Sequence, residues 1–388
     1  MDSFSHAIIT HKKIILIAFL VIAALSAVIS PQVSINYEMV DYLPKDAQST
    51  TAIKIMEDEF GGEMPNARVM LTDVSIREAL EYKEKIAAIE GVTSISWLDD
   101  IVGLDTLETT PLDFLDDSIL KNYYKDNNAL MSIAIESGKE KSAVKAIYDL
   151  IGENNAATGE AINTAETQAM SVSEVMKAMM ILLPIIIVIL IISTYSWVEP
   201  LLFLLTIGVA IIINMGTNII FGEISFITRT VSPILQLAVS LDYAIFLLHS
   251  FNDYRLSHEP KEAMRLAMKQ ALPTVAASAA TTVVGFAALM FMRFGIGADL
   301  GLNLLKGIIL SFISVMVFLP VVTLLSYKTI DKTKHRKLMP DLKKSGNLLM
   351  KVRIPFLILA LIVVIPSFLA QSNTEFMYGM GSVTEASR

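Results

Sequence analysis

Seven long apolar runs dominate the pattern of hydrophobic and polar positions along the chain. Crossing about 30 Å of hydrocarbon takes about 17–25 mostly apolar residues in a helix, and each run has that length. The predicted spans are residues 14–30, 176–193, 201–221, 230–250, 274–292, 304–327 and 354–370. The pattern therefore predicts a polytopic α-helical membrane protein with about seven transmembrane helices.

The first run has a second interpretation. It follows Lys12 and Lys13, and small residues such as Ala24 and Ser26 lie near its end, as in a cleaved signal peptide. The length of the run and the further spans behind it favour a retained helix.

Residues 31–174, between the first and second spans, have a different pattern, in which short apolar runs alternate with amphipathic helical stretches. Strand, helix and strand are predicted over 67–71, 76–89 and 92–95, and again over 129–135, 142–151 and 156–159. The two units predict an α+β domain of ferredoxin-like kind, with helices on one sheet face. Residues 114–124 are predicted to form a helical insert between the units.

Lysine and arginine gather in the loops after the fourth and sixth spans. These residues are Arg255, Lys261, Arg265, Lys269, Lys328, Lys332, Lys334, Arg336, Lys337, Lys343, Lys344, Lys351 and Arg353. Short cytoplasmic loops hold such residues in excess, so both loops and the N-terminus are expected in the cytoplasm of a plasma-membrane protein. An odd number of crossings then places the acidic domain, 31–174, outside.

The chain is predicted to be organised in five parts. These are residues 1–30, an N-terminal tail and helix one; 31–174, the extracytoplasmic domain; 175–327, helices two to six; 328–353, a basic cytoplasmic linker; and 354–388, helix seven and the start of a second, truncated repeat. The repeat is inferred because residues 351–378 weakly resemble residues 12–37. In addition, residues 258–271 are predicted to lie on the inner membrane surface as an amphipathic helix, and residues 294–301 to form a glycine-rich turn.

Composition narrows the chemistry that the chain can perform. It is 53% hydrophobic with a mean hydropathy of +0.56, which is too apolar for a soluble protein. The absence of cysteine excludes disulfides, thiolate metal sites and cysteine nucleophiles. No Gly-x-x-x-x-Gly-Lys-Ser/Thr phosphate loop is present, and the histidines lack metal-ligand spacing. We therefore predict no enzyme site, metal, bound cofactor or nucleic-acid partner.

Carboxylates are frequent in the domain formed by residues 31–174. They include Asp99, Asp100, Asp105, Asp113, Asp116 and Asp117. Calcium binding and a solvated acidic surface are the two interpretations of this cluster. The lack of an Asp-x-Asp-x-Asp-Gly loop favours the solvated surface.

One carboxylate, Asp242, lies inside the fourth apolar run. A carboxylate at membrane depth costs several kcal/mol unless it is protonated, paired or hydrated, so Asp242 is predicted to load and unload protons. A purely structural hydrogen bond is the alternative role. The neighbouring residues Ser232, Gln236, Ser240 and Tyr243 are spaced by four, four and three positions. This polar stripe is predicted to face the interior of the helix bundle.

The fifth span carries a face of small and hydroxyl-bearing residues, which lets a second helix approach closely. Its members are Ala277, Ser278, Thr281, Thr282 and Gly285. We predict that this face packs against the fourth span. Lys306, near the outer end of span six, is predicted to snorkel. His249, near the inner end of span four, is predicted to be interfacial, with a proton-exit role as the alternative.

Three motifs resemble the MMPL (mycobacterial membrane protein large) branch of the resistance-nodulation-division superfamily. Residues 240–249, Ser-Leu-Asp-Tyr-Ala-Ile-Phe-Leu-Leu-His, are similar to the Gly-x-Asp-Tyr-x-x-Phe pattern of that family, with Ser240 in place of its glycine. Residues 43–49, Leu-Pro-Lys-Asp-Ala-Gln-Ser, and 278–288, Ser-Ala-Ala-Thr-Thr-Val-Val-Gly-Phe-Ala-Ala, support it. The resemblance covers nearly the whole chain. It implies a proton relay at Asp242 and Tyr243, driven by a proton gradient.

The resemblance also implies a partner and a function. Family members have two tandem halves, each with an Asp-Tyr pair, and this chain holds one half plus the seventh helix. The expected partner is the missing C-terminal half of a truncated chain, or a second chain. The implied function is proton-driven export of hydrophobic or amphipathic molecules, such as lipids or drug-like compounds. The alternative is a non-exporting assembly, such as a protein-translocation accessory motor or a sterol- or lipid-sensing domain.

Overall fold

The computed structural model describes residues 2–37, 40–48, 50–52, 55, 59, 64–109, 114–336 and 343–371. Predictions that concern Ser49, Asp113, Lys337 and residues beyond 371 lie outside this part of the chain. The chain divides into two compact units, Met1–His335 and Arg336–Arg388.

Helices account for most of the described chain. In order they are α1 (Asp2–Thr10), α2 (Lys12–Ile29), α3 (Ile76–Ala87), α4 (Leu98–Val102), α5 (Leu104–Thr109), α6 (Asp117–Tyr123), α7 (Glu140–Ile151), α8 (Glu160–Ser193), α9 (Glu199–Gly216), α10 (Phe226–Tyr254), α11 (Pro260–Leu289), α12 (Gly295–Ile313), α13 (Leu319–Lys332) and α14 (Lys343–Gln371). The strands are β1 (Ser34–Asn36), β2 (Ala67–Leu71), β3 (Val92–Ser96), β4 (Tyr124–Lys125), β5 (Asn128–Ile135), β6 (Ala156–Gly159) and β7 (Glu223–Ser225).

Within the described residues, seven helical segments are long and apolar enough to cross a membrane, which agrees with the sequence prediction. They comprise α2, α8, α9, α10, α11, the α12–α13 segment and α14. A π-helix, Ser314–Phe318, joins α12 to α13 without a break. The second span differs from prediction, because α8 begins at Glu160 and not at residue 176. Residues 160–175 are rich in alanine and glutamate, which favour a helix that continues beyond the apolar run.

The predicted amphipathic surface helix at 258–271 is wrong as a separate element. Those residues and the fifth span form one helix, α11, which continues through Pro273. Met264 and Met268 of α11 are fully or almost fully buried, in one apolar core with Ile8 of α1. Because α1 and α13 pack on α11, protein covers the apolar face that the sequence pattern assigned to the membrane surface.

The predicted glycine-rich turn at 294–301 is also wrong. Helix α12 begins at Gly295, so these glycines lie in its first turns. A Cβ atom built on Gly301 would lie 2.7 Å from the carbonyl oxygen of Phe286 in α11. The glycine therefore lets the backbones of α11 and α12 approach closely, as small residues do between membrane helices.

The domain between α2 and α8 contains a sheet in the order β3–β5–β2–β6, in which β4 also pairs with β5. All of these pairings are antiparallel. Along β2, Ala67, Val69 and Leu71 are buried while the residues between them are exposed, so one face of the sheet is covered. Ile86 of α3 and Ile147 of α7 are fully buried in the core against that face.

The predicted strands and helices of this domain agree with the structure to within a few residues. The helical insert is confirmed as α6, although Tyr124 belongs to β4. Ion pairs account for some of the carboxylates, because Lys83 Nζ lies 2.6 Å from both Asp99 and Asp100. These oxygens therefore interact with a lysine in the described structure.

A short parallel strand pair joins the segment that follows α2 to the start of α10. In β1 and β7 the Cα partners are Ser34 with Glu223, Ile35 with Ile224 and Asn36 with Ser225. Ser225 also caps α10, because its side chain accepts a hydrogen bond from the Thr228 backbone N–H (3.1 Å). The polypeptide that leads into the β2–β6 domain is therefore hydrogen-bonded to the first residues of the fourth span.

Candidate functional site

The polar stripe of α10 faces the interior of the bundle, as the sequence predicted. Ser232, Gln236 and Ser240 are completely buried, and Tyr243 is 2% exposed. Helix α10 packs directly on α9, α11 and α12. The fourth and fifth spans are therefore in contact, but the prediction that the small-residue face of the fifth span makes this contact is wrong, because Ala277, Ser278, Thr281 and Gly285 are exposed. The spacing of four, four and three residues keeps these side chains on one face because a helix turns every 3.6 residues or so.

Gln236 is the centre of a buried hydrogen-bond network between three helices. Its Nε2 donates to Gly307 O (3.0 Å) and to Ser311 Oγ (3.0 Å) of α12. Its Oε1 accepts from Asn214 Nδ2 of α9 (3.0 Å). Hydrogen bonds of this kind hold membrane helices together, because the apolar surroundings supply no competing partners. The network fixes α10 relative to α9 and α12.

The network continues through Asn303, towards the end of the bundle at which α10 and α12 begin. Its Oδ1 accepts from Ser232 Oγ and from Asn214 Nδ2, and its Nδ2 donates to Asn218 Oδ1. Lys306 joins at the same place, since its Nζ donates to Asn214 O (3.0 Å) and to Asn218 Oδ1. Lys306, which is predicted to snorkel, is half-buried, and its acceptors belong to α9 and to the 3-10 turn that follows α9.

Two hydroxyls of the stripe have no hydrogen-bond partner in the described part of the chain. They are Ser240 Oγ and Tyr243 Oη, and both atoms are buried. Both residues follow Gln236 along α10. Buried hydroxyls usually have a hydrogen-bond partner, so these two can still bond to a water molecule or to another polar group.

Asp242 does not share the face of the stripe. It is exposed on α10, together with Ala238 one turn earlier, while its neighbour Tyr243 is buried. Consecutive helical residues point about 100° apart, so the two side chains lie on different faces. The structure therefore separates the carboxylate from the buried polar network. The carboxylate is accessible to any lipid, water or protein that lies against this face of α10.

The predicted supporting residues of the fifth span are mostly on the surface of the described chain. Ser278 and Thr281 are exposed and Thr282 is half-buried. The hydroxyls of Thr281 and Thr282 both donate to the carbonyl oxygen of Ser278, at 2.8 and 3.1 Å. These hydroxyls therefore bond to their own helix and not to the carboxylate of Asp242.

His249 contacts the C-terminal end of the second span. Its Nε2 lies 2.6 Å from the carbonyl oxygen of Ser193, the last residue of α8. Its ring centroid lies 5.6 Å from that of Tyr195. His249 is half-buried, and it follows Asp242 by seven residues, which is about two helical turns. The structure thus places it in the contact between α8 and α10.

A buried carboxylate at the start of α9 was not recognised from the sequence. Glu199, at the start of α9, is 1% exposed and accepts from Asn252 Nδ2 (2.8 Å) and the Tyr195 backbone N–H (3.0 Å). Nearby, Arg255 forms a bidentate pair with Asp331, at 2.9 and 2.7 Å. Asn214 and Asn303 were also missed. Asn214 is a strongly polar residue inside the third apolar run, which is the criterion that identified Asp242, and Asn303 directly precedes the sixth run.

The end of the bundle at which α10 and α12 begin carries a second polar contact. Asp299 Oδ2 accepts from the Ser225 backbone N–H (2.8 Å) and from Thr228 Oγ1 (2.6 Å), and so ties α12 to the start of α10. Tyr42 lies close to the start of α12, since a Cβ built on Gly295 would be 3.3 Å from its Cα. Burial, together with the neighbouring Asp299 carboxylate, raises the pKa of Tyr42, so its phenol stays protonated.

Comparison with known proteins assigns this arrangement to a family. The model of the MMPL family matches residues 41–340, which include the domain between α2 and α8, the polar stripe and Asp242. The chain belongs to the MMPL family. Its resemblance to that family, inferred above from three motifs, is thereby confirmed.

Named relatives of this MMPL chain include membrane transport proteins. The sulfolipid-1 exporter MmpL8 of Mycobacterium tuberculosis is 26% identical over 350 residues, covering 82% of this chain and 31% of MmpL8. The putative membrane protein YdgH of Bacillus subtilis is 25% identical over 334 residues, covering 82% of this chain and 37% of YdgH. The chain thus spans about a third of the length of these relatives.

A relative of similar length also exists. The putative membrane protein MJ1562 of Methanocaldococcus jannaschii is 22% identical over 369 residues, covering 85% of this chain and 93% of MJ1562. Proteins of similar length and longer proteins are therefore both among the relatives of this MMPL chain.

Proposed function

We propose that this MMPL chain forms part of a proton-motive-force-driven exporter of lipids or other hydrophobic and amphipathic molecules in the plasma membrane. Membership of a family that includes a named lipid exporter supports the substrate class. The basic loops support a cytoplasmic N-terminus and a domain outside the cell. The order β3–β5–β2–β6, with one covered face, supports a ferredoxin-like fold for that domain.

The observation that carries the proposal is the exposed carboxylate of Asp242 on a membrane-spanning helix. An ionised carboxylate in contact with hydrocarbon costs several kcal/mol, so the group is stable there only when protonated, hydrated or covered by protein. A carboxyl group with these alternatives changes its charge when its surroundings change between lipid, water and protein. In the proposed cycle Asp242 takes a proton from the outside and releases it to the cytoplasm.

The proposal includes a partner for the exposed face of α10. A second MMPL half, either in a longer chain or in a second copy of this one, would remove Asp242 from lipid and bring its own polar groups near. The relatives support both forms, because MmpL8 aligns over 31% of its length and MJ1562 over 93%. The exposed small residue Ala238, one turn from Asp242, leaves room for close approach.

The route from the carboxyl group to the outer domain runs through α10 itself. A change in charge at Asp242 alters how α10 packs, and α10 begins immediately after β7. Because β7 is paired with β1, a shift of α10 moves the polypeptide that leads into the β2–β6 domain. We propose that this domain responds by changing its affinity for the exported molecule.

Transport by the reconstituted chain tests the proposal. The protein is placed in liposomes that contain a fluorescent phospholipid, and lipid movement between leaflets is followed after a proton gradient is imposed. Asp242→Asn is expected to reduce gradient-driven movement to the level of empty liposomes. Asp253→Asn, which removes an exposed carboxylate near the inner end of the same helix, is expected to transport normally. Normal transport by Asp242→Asn would overturn the proton role of this residue.

Tyr243→Phe adds a graded measurement to the same assay. Removing the unpartnered hydroxyl is expected to slow lipid movement without abolishing it. An unchanged rate would remove Tyr243 from the relay while leaving Asp242 in it.

A further inference from the structure

The sixth span contains a positive charge with no carboxylate beside it in the described part of the chain. The acceptors of the Lys306 ammonium are Asn214 O (3.0 Å) and Asn218 Oδ1, and its Nζ lies 4.8 Å from the ring centroid of Phe221. Among the described residues, no Asp or Glu oxygen lies within 4.0 Å of Nζ. A lysine within a membrane span usually pairs with an anion or marks a site of function.

The partners of Lys306 hold the ammonium in place without neutralising it. Asn214 O is near the carboxyl end of α9, where the helix dipole is negative, and an aromatic face attracts a cation. Asp299, seven residues earlier on α12, is about 10 Å away along the helix and already accepts from Ser225 and Thr228. Among the described residues, no carboxylate within bonding distance therefore balances the charge of Lys306.

A second donor beside the ammonium also lacks a partner. Asn218 is completely buried, and its Oδ1 accepts from both Lys306 and Asn303, which fixes the orientation of the amide. Its Nδ2 is buried and has no acceptor among the described residues. A buried donor left unsatisfied costs about 1–3 kcal/mol. A single anionic oxygen next to both groups would remove that cost and balance the charge.

The surroundings favour an anion that carries apolar chains. Lys306 is half-buried, and the neighbouring Phe221 is 36% exposed, so the ammonium lies near the surface of the bundle. Ile219 and Ile220, in the 3-10 turn that follows α9, are 43% and 77% exposed. We propose that Lys306 and Asn218 bind the anionic headgroup of a lipid in the outer leaflet, with its chains against Ile219, Ile220 and Phe221.

This inference rests on the proposed function and refines it. It identifies the exported molecule as a lipid with a negatively charged oxygen in its headgroup, such as a phosphate, sulfate or carboxylate. Lys306 then acts as a residue that determines substrate specificity, whereas Asp242 carries the proton. A purely structural Lys306, which only caps α9, would affect stability and would not distinguish charged from neutral lipids.

Photocrosslinking of lipids to the purified full chain tests the site without any proton gradient. The protein is placed in bilayers of zwitterionic lipid with a photoactivatable phosphatidylglycerol or, in parallel, phosphatidylcholine. Adducts on the peptide that contains residues 217–223 are counted by mass spectrometry. The anionic probe is expected to label this peptide, and Lys306→Met is expected to lower its yield about tenfold, the effect of losing one hydrogen bond to a charged group.

Matched variants separate the site from general attraction to basic residues. Lys306→Arg keeps the charge and is expected to retain labelling. Lys328→Met removes an exposed positive charge from the same span and is expected to leave labelling at 217–223 unchanged. Melting temperatures of all variants are recorded, so that a loss of labelling caused by unfolding is recognised. If Lys306→Met is unfolded, Lys306→Arg is compared with the wild type instead.

Three results would overturn the proposal. The first is equal labelling of the wild type and a folded Lys306→Met, and the second is labelling by phosphatidylcholine as strong as by phosphatidylglycerol. The third is full competition by soluble glycerol phosphate, which would assign the site to a free phosphate and not to a lipid. Because the assay measures binding alone, these results are independent of whether Asp242 moves protons.

Discussion

The spans α9 and α2 approach each other closely at Gly216, and a single methyl group should disrupt this contact. A Cβ atom built on Gly216 would lie 2.4 Å from Ser26 O, 2.5 Å from Ser26 Cα and 2.5 Å from Ser26 Cβ. On the same helix, a Cβ built on Gly208 meets no atom within 4 Å. Gly216→Ala and Gly208→Ala are therefore the same chemical change in a closed and an open position.

The size of the effect follows from these distances. Both substitutions gain about 1 kcal/mol of helix propensity, so this contribution cancels when the two variants are compared. At Gly216 the two backbones must separate by about 1 Å to restore ordinary contact, and overpacking of this kind costs about 1–3 kcal/mol. Because two of the three nearest atoms belong to the backbone, which cannot rotate away, we expect the upper end, about 3 kcal/mol.

Thermal unfolding in detergent measures the difference. At about 2 °C per kcal/mol, Gly216→Ala should melt roughly 6 °C below Gly208→Ala. Adding Ser26→Gly removes one of the three contacts and leaves the two backbone contacts, so it should restore only a small part of the loss. Equal melting temperatures for the two alanine variants would refute the close packing of α2 on α9.

Two further predictions concern the outer domain and its link to α10. Oxidised Ile35→Cys/Ile224→Cys, in this cysteine-free chain, should transport normally because β1 and β7 move as one unit; inactivity of the crosslinked protein would show that they must separate. Hydrogen bonds from Ser75 hold the pKa of Glu78 below its ordinary value, so its stabilising effect is present at neutral pH and is lost as the pH falls through that lowered pKa. Glu78→Gln should therefore melt below wild type at neutral pH, with the difference vanishing in acid, whereas the exposed Glu84→Gln should show no such trend.

The elements that were predicted correctly depend on local patterns. The alternation of buried and exposed residues in β2 and the length of the apolar runs are properties of short segments, and the structure has both. The prediction of a surface helix at 258–271 was wrong because it depends on tertiary packing and not on a local pattern. Its apolar face has the same pattern whether lipid or protein covers it, and only the packing of α1 on α11 decides between them.

In the candidate site, too, some features follow from local sequence patterns and others depend on the tertiary fold. The interior position of Gln236 and Tyr243 follows from helical spacing. The exposure of Asp242 does not follow from it, because adjacent residues such as Leu247 and Leu248 are both buried on the same helix. The partners of these residues do not follow from spacing. Asn214 and Lys306 meet only because α9 and α12 are neighbours in the bundle, which is a property of the tertiary fold.

The central claim is that Asp242 exists in both charge states within the membrane. Infrared difference spectroscopy of the reconstituted protein measures this directly, because a protonated carboxyl group has a carbonyl-stretch band that the carboxylate lacks. Spectra recorded across the physiological pH range should contain such a band, and that band should be missing from Asp242→Asn and present in Asp253→Asn. A band that never changes with pH, or spectra that are identical for wild type and Asp242→Asn, would contradict the account.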